Sequence, residues 1–327
     1  MKNRNSNTVL YALLIKVVIL CLLVFALYKQ LIDNKQLYEV KERLKIHFYE
    51  NGFLLIIISF LLMFINWSLE AWKWKLLMQK ISEVSFIRSF KAVWTGVTLG
   101  LFTPNRIGEY GGRILYLPRK TRLKGIIGSL LGSYAQLLAN VSAGLIALVF
   151  FIRENEHVLN FTFITISVLV TVAIIILSIA YFNLDVLVRG FQKWKFFRRI
   201  HPYMEVFNYY SSRQYFSFLL ISLLRYGVYT AQYLIFLRLF NVSLQVGDGV
   251  TVVGVIFLTQ TIVPTFAFAE LVIRGSIAAT FLHSYTENDF AAVGASTCMW
   301  LLNLIIPAVL GYVFIIRYNF FKNNNTR

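Results

Sequence analysis

Six stretches of this chain are apolar for about twenty residues or more, at roughly 9–32, 51–70, 126–152, 158–182, 214–240 and 290–316. A helix of ~20 apolar residues matches the ~30 Å hydrocarbon core of a bilayer. Six such runs require a chain threaded repeatedly through a membrane. Composition agrees, with 58% hydrophobic and only 14% charged residues in 327, against ~25% charged in a typical soluble domain. A soluble globular fold and a disordered chain are both excluded.

The run starting at Val9 is too long for the apolar region of a signal peptide and no A-x-A site follows it, so it reads as an uncleaved first helix. Two further stretches, 90–118 and 249–283, are apolar but broken near their middles by Pro104 and Pro264. Each half is short for a span.

The formal net charge is +17. In a soluble protein this would point to nucleic acid. Here it follows from cytoplasmic loops, which collect Lys and Arg. Segments 71–91, 119–124, 183–213 and the termini carry twenty basic residues, whereas 33–50, 153–157, 241–249 and 283–289 carry five, against nine acids. This asymmetry puts both termini in the cytoplasm. It holds only if the two proline-broken stretches return to the side they entered. As full spans they would leave Arg119, Lys120, Arg122 and Lys124 outside.

The expected fold is therefore an all-α polytopic membrane protein, one transmembrane domain over 1–327. It has six full spans plus two re-entrant hairpins, the first opening from the cytoplasm and the second from outside. Residues 51–152 and 214–316 then form two units of opposite topology, an inverted repeat of the kind found in secondary transporters. A sequence echo links the hairpins. Pro104 precedes Glu109 by five residues and Pro264 precedes Glu270 by six; Arg113 and Arg274 follow their glutamates by four.

Proline suits the first turn of a helix, and Thr103 is expected as the N-cap of the half-helix it opens. A helix N-terminus at membrane depth attracts anions, and Asn105 and Arg106 stand at that point. Gly108, Gly111 and Gly112 are expected to let a partner approach the backbone closely. Pro104, Gly108 and Pro264 mark the helix breaks.

Two readings of the Glu–Arg pairs stay open. Each pair is an intrahelical i,i+4 ion pair that keeps its hairpin neutral. Alternatively the hairpins meet, and Arg106, Arg113 and Arg274 hold a lipid phosphate while Glu109 and Glu270 gate or couple to protons. Arg225 lies too deep in its span for easy snorkelling and is a further head-group candidate. Gln136, Asn140, Gln232, Gln260 and Asn303 are expected to hydrogen-bond between helices. Trp67 to Lys75 reads as an aromatic and basic belt at the cytoplasmic interface. Cys21, Cys298 and the four histidines form no disulfide, metal or catalytic pattern, so no cofactor is expected.

The run from Gly100 to Arg113, with Pro104-Asn105-Arg106-Ile107-Gly108-Glu109 at its centre, resembles the hallmark of the flippase-like membrane family that includes the transmembrane part of lysylphosphatidylglycerol synthases. Pro264 with Glu270 is similar to the family's second motif. The resemblance covers about residues 10–318 and implies a multi-pass bacterial inner-membrane protein associated with lipid translocation. The synthases' aminoacyl-transfer activity is not expected, because their cytosolic domain has no counterpart in this sequence. The function expected is a flippase for anionic or polyprenyl-phosphate-linked lipids. The alternatives are a non-transporting accessory subunit partnered with an envelope-synthesis enzyme, and an intramembrane lipid-modifying enzyme.

Overall fold

The computed structural model describes residues 52–155, 159–190, 202–263, 269–286 and 288–317, with isolated positions before residue 26. Most of the expected first span and the break at Pro264 lie outside these residues. Among the described residues the regular structure is all helix, with no strand. The helices are α1 Gly52–Met78, α2 Phe86–Gly100, α3 Gly108–Ile114, α4 Arg122–Asn155, α5 Asn160–Phe182, α6 Leu184–Gly190, α7 Ser212–Leu239, α8 Val246–Ile262, α9 Glu270–Leu282, α10 Asp289–Trp300 and α11 Ile306–Arg317.

Five helices are long and apolar enough to cross a membrane, at Gly52–Met78, Arg119–Glu154, Asn160–Phe182, Ser212–Leu239 and Asp289–Arg317. Helix starts follow local chemistry. Ser85 accepts the Arg88 amide at 3.3 Å to open α2, and Ser211 and Gln214 form a capping box on α7. The last span carries a π-helical segment at Leu301–Ile305. Pro307 lies just beyond it, lacks an N–H, and crowds the carbonyl four residues back, which is that of Asn303.

The spans differ in what surrounds them. α5 is apolar all round, and Phe161, Ile164, Leu169 and Ile176 stay exposed along it. Such a helix meets lipid on its outer side. One tie to the body is Tyr181, fully buried, whose hydroxyl donates to the Tyr215 carbonyl at 3.0 Å. Trp94 packs against Phe64, Phe90 and Phe314, joining α1, α2 and α11.

Helices α2 and α3 fold back on one another, as do α8 and α9. α2 has 15 residues and α8 has 17, or about 22 and 25 Å at ~1.5 Å per residue. Their packing is reciprocal. α2 lies against α11, α8 lies against α4, and α1 lies against α7. Each hairpin thus rests on the helix that closes the other half of the chain. Both contacts are close ones: Gly311 faces the Trp94 carbonyl, and Gly254 faces the Ala147 methyl. Small residues allow such approaches between membrane helices.

Three glycines were expected to open the first hairpin to close approach, and two of them do. A methyl on Gly112 would sit 2.5 Å from Gly96 Cα, and Gly108 faces the Leu99 carbonyl, whereas Gly111 has nothing within 4 Å. Gly112→Ala is therefore expected to cost about 1–3 kcal/mol by overpacking against backbone. Gly111→Ala is expected to be neutral or to stabilise by up to ~1 kcal/mol, because alanine restricts the unfolded chain. Thermal midpoints of the two purified proteins in detergent check this; equal midpoints would refute it.

Candidate functional site

The first hairpin turns in a way the sequence pattern does not specify. The chain makes a single 3-10 turn at Pro104–Arg106 and the helix begins only at Gly108. Thr103 does satisfy a free amide, but five residues on: its hydroxyl accepts from the Gly108 N–H at 2.7 Å. Arg106 therefore precedes the helix. Asn105 and Arg106 both take left-handed backbone, at φ 49° and 56°. Asparagine adopts this region readily, whereas for arginine it costs ~1–2 kcal/mol.

These turns also correct the expected anion site at the helix ends. α3 has seven residues, too few for a substantial dipole. α9 begins at Glu270 itself, so a carboxylate already occupies its first turn. Positive charge at the tips comes from guanidinium groups.

Those groups join a ladder of alternating charge. Lys73 Nζ lies 3.0 Å from Glu70 Oε2, and Arg113 Nη1 lies 2.8 Å from Glu70 Oε1. Arg113 Nη2 reaches Glu109 Oε2 at 3.0 Å. Arg106 Nη1 is 4.0 Å from Glu109 Oε1, and its Nη2 donates to Glu270 Oε1 at 2.8 Å. Arg274 Nη2 completes the series at 2.9 Å from Glu270 Oε1. Arg225 branches from it, pairing with Glu70 and donating to Asn66 Oδ1 and Gln136 Oε1, each at 2.9 Å.

The Arg106–Glu270 contact is the one ion pair of this ladder that joins the two hairpins. The intrahelical pairs Glu109–Arg113 and Glu270–Arg274 form as well, so the intrahelical pairing and the meeting of the two hairpins coexist. The two ends of the ladder differ in access. Lys73 is 1% exposed along its side chain, whereas Arg106 and Arg274 are 35% and 29% exposed.

The ladder borders a cavity of about 480 Å³ lined from both hairpins and from α1, α4, α7 and α10. Asn105, Arg106, Glu109, Arg113, Arg225 and Arg274 all lie on its wall. Glu270 lines an adjoining cavity that shares Asn105, Arg106 and Arg274. Five cations (Lys73, Arg106, Arg113, Arg225, Arg274) face three carboxylates (Glu70, Glu109, Glu270), a formal surplus of two positive charges. In a low-dielectric body such a surplus attracts an anion strongly. Among the described residues, no group of three or more His, Cys, Asp or Glu is placed to hold a metal.

The chain matches the family described as the lysylphosphatidylglycerol synthase TM region over residues 12–311. It belongs to that family. No curated protein matches it. Membership of the lysylphosphatidylglycerol synthase TM-region family makes the chain a multi-pass membrane protein related to lipid synthesis or flipping.

Sequence reasoning missed Glu70 and Lys73. It placed them in an interfacial belt, but the structure buries both. Trp67 and Trp74 are buried with them, and only Trp72 of that stretch is largely exposed. Lys73 Nζ donates to Ser222 Oγ at 3.0 Å, deep between α1 and α7. Removing Lys73 from the twenty basic loop residues leaves nineteen, and the asymmetry stands. Of the interhelical amides, Gln136 donates to Asn140 Oδ1 at 3.0 Å within α4 and to the Ser222 carbonyl of α7 at 3.2 Å. Asn303 donates to Gln232 Oε1 at 3.2 Å.

Proposed function

We propose that this chain is a flippase-type carrier of anionic or polyprenyl-phosphate-linked lipids across the bacterial inner membrane, and not an enzyme. The observation that carries the reading is the Arg106–Glu270 bridge, which ties two opposed hairpin tips together at the wall of a cavity with surplus positive charge. Buried charges in a membrane body are costly and are retained where they act on a ligand. Arg106, Arg113, Arg225 and Arg274, with Asn105, hold the phosphate. Glu109 and Glu270 hold the arginines when no lipid is present, and gate the exchange.

Both termini are cytoplasmic in this reading, and residues 51–152 and 214–316 are inverted repeat units. Three things support it: the loop charge asymmetry, the shortness of α2 and α8, and the reciprocal packing of each hairpin on the other unit's closing helix. The hairpins then enter from opposite faces and present the same groups to lipid arriving from either side, as alternating access requires.

Proteoliposomes test both parts. Purified protein is expected to speed the movement of a labelled acidic phospholipid between leaflets by about tenfold or more over protein-free vesicles. That factor corresponds to ~1.4 kcal/mol off the barrier. In a Cys21→Ser, Cys298→Ala background, Lys120→Cys is expected to react with impermeant thiol reagents from the cytoplasmic side and Ser284→Cys from the other. Background rates of lipid movement would sink the carrier, and labelling of both positions from one side would sink the topology.

A further inference from the structure

Among the described residues, every charged side chain on the walls of the two adjoining cavities belongs to the ladder. Its surplus of two positive charges is not spread evenly. At the accessible end, Arg106 and Arg274 are matched by Glu109 and Glu270. At the buried end, Lys73, Arg113 and Arg225 share the one carboxylate of Glu70, and Arg113 bridges to Glu109. Arginine keeps its proton in proteins. Lys73 Nζ lies 3.0 Å from a Glu70 oxygen and donates to Ser222, the contacts of an ammonium.

The two ends act on a ligand in different ways. The side chains of Lys73, Arg113 and Arg225 are 1%, 7% and 7% exposed. They reach the cavity through their field, which is weakly screened in a low-dielectric body. Arg106 and Arg274 reach it by contact. Three of their N–H groups converge on a single atom. Arg106 Nη2 lies 2.8 Å from Glu270 Oε1, and Arg274 Nε and Nη2 each lie 2.9 Å from it. The fold thus gathers two guanidinium groups around one anionic oxygen, in front of a buried excess of cations.

Resting on the carrier reading, we infer that the cavity selects a lipid ending in a dianionic phosphomonoester over one whose phosphate is a monoanionic diester. A terminal phosphate oxygen takes the place of Glu270 Oε1 between Arg106 and Arg274. A head group with one charge leaves one positive charge uncompensated in the membrane body, whereas a head group with two leaves none. Uncompensated charge is costly there. A phosphomonoester carries about −1.5 to −2 at pH 7 on three acceptor oxygens. Both charges then sit on one phosphorus, against the one point where the guanidinium groups converge; a diphosphate spreads them over two.

Phosphatidic acid and phosphatidylmethanol test this, because they differ by one methyl group that removes one charge. Native mass spectrometry of the purified chain, offered both in equal amounts, is expected to show phosphatidic acid retained about tenfold or more over its methyl ester. Lys73→Met removes one surplus charge at a side chain only 1% exposed, which no ligand in the cavity touches. It is expected to lower that preference about threefold or more, because the lost attraction acts twice on a dianion and once on a monoanion. Equal retention, a preference for the methyl ester, or no retained lipid would overturn the inference. So would an unchanged preference in folded Lys73→Met protein, and the wild-type comparison decides the matter if that variant does not fold. Glycerol 3-phosphate, the same head group without chains, is the competitor in a second arm. Its displacing phosphatidic acid at equal concentration would make the ligand a soluble phosphate and overturn the carrier reading alone, as would a kept preference with no lipid movement in vesicles. A lost preference with movement intact would overturn only the selectivity.

Discussion

Replacing Glu70 by glutamine is expected to cost about 3–5 kcal/mol of folding stability, the usual consequence of removing one partner from a buried charge group. Glu70 is the node of the ladder. Its two oxygens hold Lys73, Arg113 and Arg225, and its side chain is only 7% exposed. Without the carboxylate, three cations face one another with little water between them. Arg113 keeps Glu109, but the other contacts of Lys73 and Arg225, namely Ser222, Gln136 and Asn66, are neutral. Removing a cation along with the anion separates charge balance from lost packing. Glu70→Gln with Lys73→Met is expected to be more stable than Glu70→Gln alone, with a coupling of ~0.5–3 kcal/mol. The thermal midpoint of detergent-purified protein reads both. An unchanged midpoint for Glu70→Gln, or a double variant less stable than the single, would show that Glu70 does not anchor the cluster.

The same residue shows where the sequence stops being readable. Periodicity and length mark α1, α4, α5, α7 and α10–α11 as spans, because desolvating about twenty apolar residues is a local property. Pro104, Glu109 and Arg113, with Glu270 and Arg274, are also visible, because a Glu-x-x-x-Arg pair after a proline repeats in both halves. Glu70 and Lys73 are not. They sit between Trp67 and Lys75 in a stretch whose composition is that of an interfacial belt. What buries them is the approach of Ser222 and Arg225 on α7, about 150 residues away, and no local pattern reports that. A weaker signal existed: Asn66, Glu70 and Lys73 recur at intervals of four and three, on one face of the helix.

The hairpin tip was half legible for a related reason. Proline set the break, but the position of the first helical residue depends on whether Thr103 caps three or five residues ahead. The left-handed backbone at Arg106 is a strain that a sequence rule for arginine would not choose. The same residue's guanidinium donates to Glu270, from the other hairpin, at 2.8 Å.

Glu270→Gln is accordingly expected to lower lipid translocation in proteoliposomes by at least about tenfold while leaving most of the protein folded. Truncating one partner of a buried charge pair costs ~2–5 kcal/mol, and every ~1.4 kcal/mol is a factor of ten. Here that loss falls on the contact between hairpins, because Arg106 is one-third exposed and water takes over much of its solvation. The thermal midpoint is thus expected to move less than for Glu70→Gln, which removes the shared partner of three buried cations. Exchanging the partners, with Arg106→Glu and Glu270→Arg together, distinguishes a latch from a binding residue. The exchange keeps net charge and permits a tip-to-tip ion pair of reversed sense, so a purely structural latch would recover transport. If Arg106 also receives the lipid phosphate, as the carrier reading requires, a carboxylate in its place repels that phosphate and transport stays low. Wild-type translocation by folded Glu270→Gln protein would show that the bridge takes no part in carrying lipid, and full recovery in the exchanged pair would confine Arg106 to holding the hairpins together.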